Sequence, residues 1–99
     1  MKIDSKDKLL SLHIIAPDEE LVNLAGIKRI SLKLLDGSRM SIYPEHAPLL
    51  ALTSDGPIKY FADDREYEFN TASGIIEINN NVVSIFTENK PTYEKSEGK

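Results

Sequence analysis

The chain has 99 residues, of which 40% are hydrophobic and 28% are charged, a composition typical of one folded domain. It contains no cysteine, which excludes disulfides, thiolate metal sites and a cysteine nucleophile. The formal net charge is −4, and each terminal segment (1–8 and 89–99) has three basic and two acidic residues, so the body carries −6. An acidic body argues against nucleic-acid binding, which needs clustered lysine and arginine.

The two ends of the chain differ in composition from the part between them. Both ends are polar, so we expect residues 1–8 to be a flexible N-terminal extension and residues 89–99 a flexible tail around a domain at 9–88. The apolar runs are only a few residues long, too short for a transmembrane helix. The first residues also lack the apolar region of a signal peptide, which favours a cytoplasmic location.

Apolar residues recur with a period of two along most of the domain. This alternation marks strands around Leu10–Ile14, Ile30–Leu34, Tyr67–Phe69, Ile76–Ile78 and Val82–Thr87. Short turn signals separate them: Asp36-Gly37-Ser38, Ser54-Asp55-Gly56-Pro57, Asp63-Asp64 and Asn79-Asn80-Asn81. Many short strands without helical crossovers predict an all-β fold, an antiparallel sandwich or barrel.

Three places leave the local structure open. Pro17–Leu24 begins with proline and acidic residues, which fits either a short helix or a turn followed by a strand. Glu45–Leu52 contains Pro48, so we expect an irregular loop. Gly74 precedes a strong strand and marks either a close backbone approach or simply the end of a turn.

The polar residues do not form a recognisable catalytic or metal-binding pattern. His13 falls on the solvent side of an alternating strand, and His46 lies in a proline-rich loop, where a structural hydrogen bond is the favoured interpretation. Asp18-Glu19-Glu20 lacks the ligand spacing of a cation loop, and Arg29, Ser31 and Lys33 fit a solvated strand face. Phosphate-binding glycine motifs are absent from the sequence. The residues therefore predict a small binding domain rather than an enzyme, with no cofactor and no bound metal.

Four colinear segments carry a family resemblance. They are Leu12–Glu19, Ala25–Ile30, Ile42–Leu50 with its His46-Ala47-Pro48-Leu49 element, and Ala72–Ile85. In this order they resemble the N-terminal domain of the epsilon subunit of F-type ATP synthases, which is called delta in mitochondria. The resemblance covers about residues 9–88 and implies a flattened antiparallel β-sandwich of two sheets. It also implies a non-catalytic rotor subunit that binds the gamma subunit and rests on the ring of c subunits, peripheral to the inner face of the membrane.

The resemblance also implies where the partners bind. We expect Tyr43, Pro44, Glu45, His46, Ala47 and Pro48 at the gamma contact, and Gly37, Ser38 and Arg39 in a turn that faces the c-ring. An alternative is that the prolines and Ala47 only close the end of the sandwich. Ser41 and Glu45 stand where the family has glycine, and glutamate disfavours a positive φ. Either the loop is reshaped at Glu45, or the partner supplies a matching cation.

The resemblance does not extend to the C-terminal helical hairpin of typical members, which restrains ATP hydrolysis. The 11 residues after Glu88 include Pro91 and Gly98 and cannot form two packed helices, so we expect neither this hairpin nor a nucleotide site. Two alternatives of other classes remain at this point. One is a β-sandwich adaptor unrelated to the synthase, and the other is a small-ligand module with a cavity lined by Tyr60, Tyr67 and Phe69.

Overall fold

The computed structural model describes residues 8–88, which form nine β-strands and, within that range, no helix. The strands are β1 (Leu10–Ala16), β2 (Glu19–Ile27), β3 (Arg29–Lys33), β4 (Arg39–Ile42), β5 (Leu49–Thr53), β6 (Gly56–Ala62), β7 (Arg65–Thr71), β8 (Gly74–Asn79) and β9 (Val82–Thr87). Sheet 1 has the strand order β2-β1-β9-β8-β5, and sheet 2 has the order β4-β3-β6-β7. This confirms the predicted all-β sandwich. The predictions for the tails and for the missing helical hairpin concern residues that lie, apart from Lys8, outside the described range.

Sheet 1 is mixed rather than wholly antiparallel, which corrects one detail of the prediction. β1 and β9 run parallel, with Ser11 opposite Val82 and Ile15 opposite Phe86. These strands are the first and last of the domain, and a parallel pair needs a long connection rather than a hairpin. The seven intervening strands provide that connection.

The core lies between the two sheets and is made of aliphatic side chains. Alternation along β1 buries every second residue, and the same pattern recurs in β3, β8 and β9. The buried cluster consists of Leu10, Leu12, Ile14, Ile27, Ile30, Leu32, Ile42, Ile58, Ile76, Ile78, Val83 and Ile85. Each such side chain contributes about 1.5–3 kcal/mol when it is fully buried. The core therefore fixes which residues of each strand point outward.

Two tight hairpins confirm the turn predictions. Ala62 pairs with Arg65 around Asp63-Asp64, and Asn79 pairs with Val82 around Asn80-Asn81. All four turn residues have positive φ, between 54° and 66°. Asn and Asp tolerate this conformation better than other side chains, and it suits two-residue hairpins because it follows the twist of the strands.

The structure decides the three open segments. At Pro17–Leu24 the second alternative is correct: a turn at residues 17–18 is followed directly by β2. The expected irregular loop ends at Pro48, and Leu49–Thr53 is strand β5. At Gly74 the close-approach interpretation holds, since a Cβ there would collide with the backbone carbonyl of Phe86 on the neighbouring strand.

Candidate functional site

The loop at residues 43–48 connects β4 of sheet 2 to β5 of sheet 1, so it closes one end of the sandwich. The side chain of Tyr43 is 54% exposed, and Ala47 and Pro48 are also exposed. Two prolines restrict the backbone of this loop, which lowers the entropy lost when it binds a partner. The predicted gamma-contact residues are thus together on one accessible loop.

Glu45 adopts the left-handed conformation, with φ at 73°. Its backbone N–H donates to Asn81 Oδ1 at 2.7 Å, and Asn81 Nδ2 donates to Glu45 Oε2 at 3.1 Å. Both bonds cross from the loop to the hairpin turn between β8 and β9. Asn81 thus holds Glu45 in a conformation that costs a non-glycine residue about 1–2 kcal/mol.

His46 makes a local structural hydrogen bond. Its Nδ1 lies 2.7 Å from the carbonyl oxygen of Ala47, which can only accept, so Nδ1 carries the proton. In the neutral ring Nε2 is then an acceptor. This agrees with the sequence-based interpretation of His46 as a structural residue.

The turn between β3 and β4 lies at the other end of β4. Asp36 Oδ1 accepts from the Ser38 backbone N–H at 2.9 Å and from the Ser38 hydroxyl at 2.7 Å. These bonds, the hydroxyl's first, lower the pKa of the Asp36 carboxyl. Gly37 supplies the required positive φ of 95°. Of the three residues predicted to face the ring, Gly37 and Ser38 lie in this turn, whereas Arg39 is the first residue of β4 and pairs with Lys33.

The outer side of sheet 1 carries an apolar surface that the sequence analysis missed. Strand register places Leu52 beside Ile75, Ile75 beside Phe86, and Phe86 beside Ile15. Adjacent strands are about 4.8 Å apart, so this row spans roughly 14 Å. Leu50 extends it and is 70% exposed. We call these residues (Ile15, Leu50, Leu52, Ile75 and Phe86) the outer apolar face.

A signal for this surface is nevertheless present in the sequence. Strands that are apolar on both sides read as continuous apolar runs rather than as alternation. Ile14-Ile15, Leu49-Leu50-Ala51-Leu52, Ile75-Ile76 and Ile85-Phe86 are such runs, and all of them lie in sheet 1. The opposite outer side, on sheet 2, instead carries residues such as Arg29, Ser31, Lys59 and Glu68.

Residues 9–90 match the family described as the beta-sandwich domain of the ATP synthase delta/epsilon chain. The chain belongs to this family. The epsilon/delta subunit of this family is a non-catalytic part of the ATP synthase, as the sequence analysis predicted for this domain.

Similar proteins include two curated epsilon chains. The chain is 32% identical to the ATP synthase epsilon chain of Lawsonia intracellularis over 82 residues, which cover 83% of this chain and 60% of that protein. It is 34% identical to the chloroplastic ATP synthase epsilon chain of Psilotum nudum over 77 residues, covering 78% of this chain and 56% of that protein. The chain thus spans less than two thirds of the length of these relatives.

Solved structures show the same fold at lower identity. A chain of the mitochondrial ATP synthase from Euglena gracilis, solved as an OSCP/F1/c-ring assembly, has a TM-score of 0.76 at 18% identity and covers 95% of this chain and 58% of its own length. A chain of the Tetrahymena thermophila central stalk and c-ring has a TM-score of 0.65 at 20% identity, with 83% and 66% covered. These similarities show that the chain shares its fold with both of these chains.

Other candidate residues have structural roles in this epsilon-family domain. His13 lies on the outer side of sheet 1, as predicted, and its Nδ1 is 2.9 Å from Glu20 Oε2. The rings of Tyr60 and Tyr67 stack with centroids 5.3 Å apart. Tyr60 and Phe69 pack against the core, whereas Tyr67 stacks on Tyr60 and is 37% exposed.

Metal and membrane sites can be assessed for residues 8–88. Within that range, no three side chains of His, Asp or Glu come together as a metal site. The same part of the chain has no helix long and apolar enough to cross a membrane.

Proposed function

We propose that this chain is a central-stalk (rotor) subunit of an F-type ATP synthase. In this proposal it binds the gamma subunit through the outer apolar face and the loop at residues 43–48. It rests on the c-ring through the turn at residues 36–38 and the adjoining Arg39 of β4. It would couple the flow of protons or sodium ions to ATP synthesis as a peripheral protein on the inner, cytoplasmic side of the membrane. Family membership supports the assembly, and the outer apolar face is the observation that supports a large protein partner.

The outer apolar face has the properties of a protein-binding surface. Its side chains adjoin one another across four strands of sheet 1. Phe86 and Ile75 remain 43% and 42% exposed, although both are large and apolar. Scattered exposed apolar residues are normal on a protein surface, but a contiguous patch marks an interaction site. Covering it with a partner would remove this area from water, which favours binding.

The loop at residues 43–48 adjoins this face, because Pro48 leads directly into β5 and its exposed Leu50. The two prolines and the bonds between Glu45 and Asn81 hold its shape before any partner binds. A preformed loop loses less entropy on docking than a flexible one. Gamma could therefore contact both the sheet and the loop as one surface.

The turn at residues 36–38 is suited to a second contact because it lies at the opposite end of β4. The four residues of β4 separate it from the loop by roughly 13 Å. Lys33 and Arg39 are paired next to the turn, and like charges in this position repel each other. A ring surface with acidic or polar groups would relieve that repulsion.

The role in this proposal is mechanical. Strand ladders and a close-packed aliphatic core make the sandwich a body that resists deformation. Such a body can transmit torque between two surfaces held at different places on it. No bond is made or broken in the domain, so its function depends on the strength and position of its two contacts.

The proposal is tested by removing the apolar contact. The double substitution Ile75→Ser and Phe86→Ser should weaken binding of the purified gamma subunit by at least about tenfold, because two apolar anchors are lost. Phe61→Ser is the matched control, since it removes an aromatic ring from the outer side of sheet 2. Affinity is measured by titration calorimetry, and thermal unfolding verifies that each variant is folded. Gamma binding that is unchanged in the folded double variant contradicts the proposed surface.

A further inference from the structure

A polar cleft separates the loop at residues 43–48 from the hairpin turn of β8 and β9. It is open to solvent, has a volume of about 450 Å³, and is lined by Glu45, His46, Ala47, Pro48, Asn79, Asn80 and Asn81. We call it the loop cleft. Its only charged lining residue among the described part of the chain is Glu45.

The chemistry of the loop cleft favours a ligand that donates hydrogen bonds. The Glu45 carboxylate accepts hydrogen bonds, and when the His46 ring is neutral its Nε2 also accepts, because Nδ1 then donates to the Ala47 carbonyl. Asn81 is already engaged, with its Oδ1 and Nδ2 bonded to Glu45. Within residues 8–88, the side-chain contacts of the Glu45 carboxylate with Asn81 and Lys8 are both made by Oε2.

The backbone at Glu45 is a second indication of function. Of the non-glycine residues with positive φ in the described range, the other four are Asp63, Asp64, Asn80 and Asn81, which suit tight turns. Glutamate has no such local preference, and its conformation is held by Asn81. A strained residue maintained by its neighbours is typical of binding sites.

The loop cleft is continuous with the outer apolar face. The groove next to it shares Pro48 and Asn79 with the cleft and reaches Leu50 and Glu77. A protein that covers Leu50 therefore reaches the cleft without a gap. The charge of Glu45 then lies at the polar border of an apolar contact, which is where charged side chains set specificity and association rate.

We propose that the loop cleft receives a lysine or arginine side chain of the docked subunit, with Glu45 as its counterion. This inference rests on the proposed function, because the docked subunit is the one that covers the outer apolar face. The cation would bond to the Glu45 carboxylate and bring further N–H donors to His46 Nε2 and the asparagine side chains.

Within residues 8–88, Lys8 is the cation that pairs with Glu45. Its Nζ lies 3.6 Å from Glu45 Oε2, and both side chains are about half exposed, at 52% and 47%. Exposed ion pairs of this kind are weak. A partner cation can therefore replace Lys8, and removing Lys8 should favour that exchange.

The experiment measures the affinity of the full chain for purified gamma over a series of salt concentrations. Glu45→Gln keeps the size of the side chain and an oxygen for Asn81 but removes the charge. We expect it to weaken binding by about tenfold at low salt and to flatten the salt dependence. Lys8→Ala should instead strengthen binding at low salt. Glu68→Gln is the matched control, since it removes one exposed carboxylate from sheet 2.

The outcomes separate this inference from the proposed function. If Glu45→Gln binds like the unmodified chain at every salt concentration, while Ile75→Ser with Phe86→Ser weakens binding, the counterion is wrong and the apolar docking stands. If Lys8→Ala weakens binding as much as Glu45→Gln, the pair acts within the chain and the inference fails. If the double apolar variant also binds normally, the proposed function itself is contradicted.

Discussion

At the scale of single residues, Asp36 shows how a turn sets a carboxyl group's titration. Two hydrogen bonds from Ser38, the stronger from its hydroxyl, favour the ionised carboxylate and lower its pKa. A carboxyl with a lower pKa in the folded state stabilises the fold above its unfolded pKa of about 3.9. That contribution is lost as the pH falls through the folded-state pKa.

The corresponding prediction concerns Ser38→Ala. This substitution removes the hydroxyl donor but keeps the backbone N–H, so the Asp36 pKa should rise toward its ordinary value. NMR titration of the Asp36 carboxyl carbon between about pH 2 and 6 measures it. Ser41→Ala on β4 serves as the control and should leave the Asp36 pKa unchanged. An unchanged Asp36 midpoint in Ser38→Ala means that the hydroxyl bond does not form in solution.

Glu45 shows what a sequence reveals about one residue and what it leaves open. The sequence identifies the replacement of glycine by glutamate and the two ways to accommodate it. It does not reveal that Asn81, 36 positions further along the chain, bonds to both the backbone and the side chain of Glu45. That pairing depends on how the loop and the β8–β9 turn meet at one end of the sandwich, which is a tertiary property.

At the scale of elements, the hairpins were the most predictable part. Their turns contain residue types that tolerate positive φ, namely Asp63-Asp64 and Asn79-Asn80-Asn81. The sequence predicts a loop instead of β5 because of Pro48, and the Leu-Leu-Ala-Leu of β5 does not alternate either. Alternation is lost where both sides of a strand carry apolar residues. Apolar residues on both sides of β5 therefore make the strand hard to predict, and they also contribute to the outer apolar face.

The prediction at the scale of elements concerns Gly74, where β8 lies close to β9. A Cβ at this position would collide with the carbonyl of Phe86, which is backbone and cannot rotate away. We expect Gly74→Ala to lower the free energy of unfolding by about 1–3 kcal/mol, the usual cost of overpacking. Urea denaturation measures the change. Ser73→Ala, one residue earlier, is the control and should change stability much less; a neutral Gly74→Ala would mean that β8 and β9 separate easily at this point.

At the scale of the whole molecule, the sequence predicted the sandwich but not the direction of every strand. Local alternation defines which residues face inward, and it carries no information about whether β1 and β9 run parallel. That pairing aligns Ile15 with Phe86 and so completes the apolar row. The candidate surface therefore depends on long-range topology, whereas the candidate loop and turn were predicted from the family resemblance.

The arrangement of the two proposed contacts gives a prediction about orientation. The loop at residues 43–48 and the turn at 36–38 lie at opposite ends of β4, and Asp36 of the turn adjoins Leu52 of the outer apolar face. A ring contact at the turn therefore places the boundary between gamma and the ring near Leu52. Because the chain has no cysteine, single cysteines can be introduced without background. In the assembled synthase we expect Ala47→Cys to cross-link to gamma and Ser38→Cys to a c subunit when a short bifunctional reagent is used.

Glu68→Cys on the outer side of sheet 2 is the control for this experiment, because both proposed contacts leave it uncovered. Its cross-linking should be at background level. Mass spectrometry of the products identifies the partner of each cysteine. Positions 47 and 38 lie roughly 13 Å or more apart, at the two ends of β4. Cross-links from them to two different subunits would place the boundary between those subunits near β4. Cross-linking of both Ala47→Cys and Ser38→Cys to gamma alone would therefore place gamma along the whole edge and remove the turn from the ring contact.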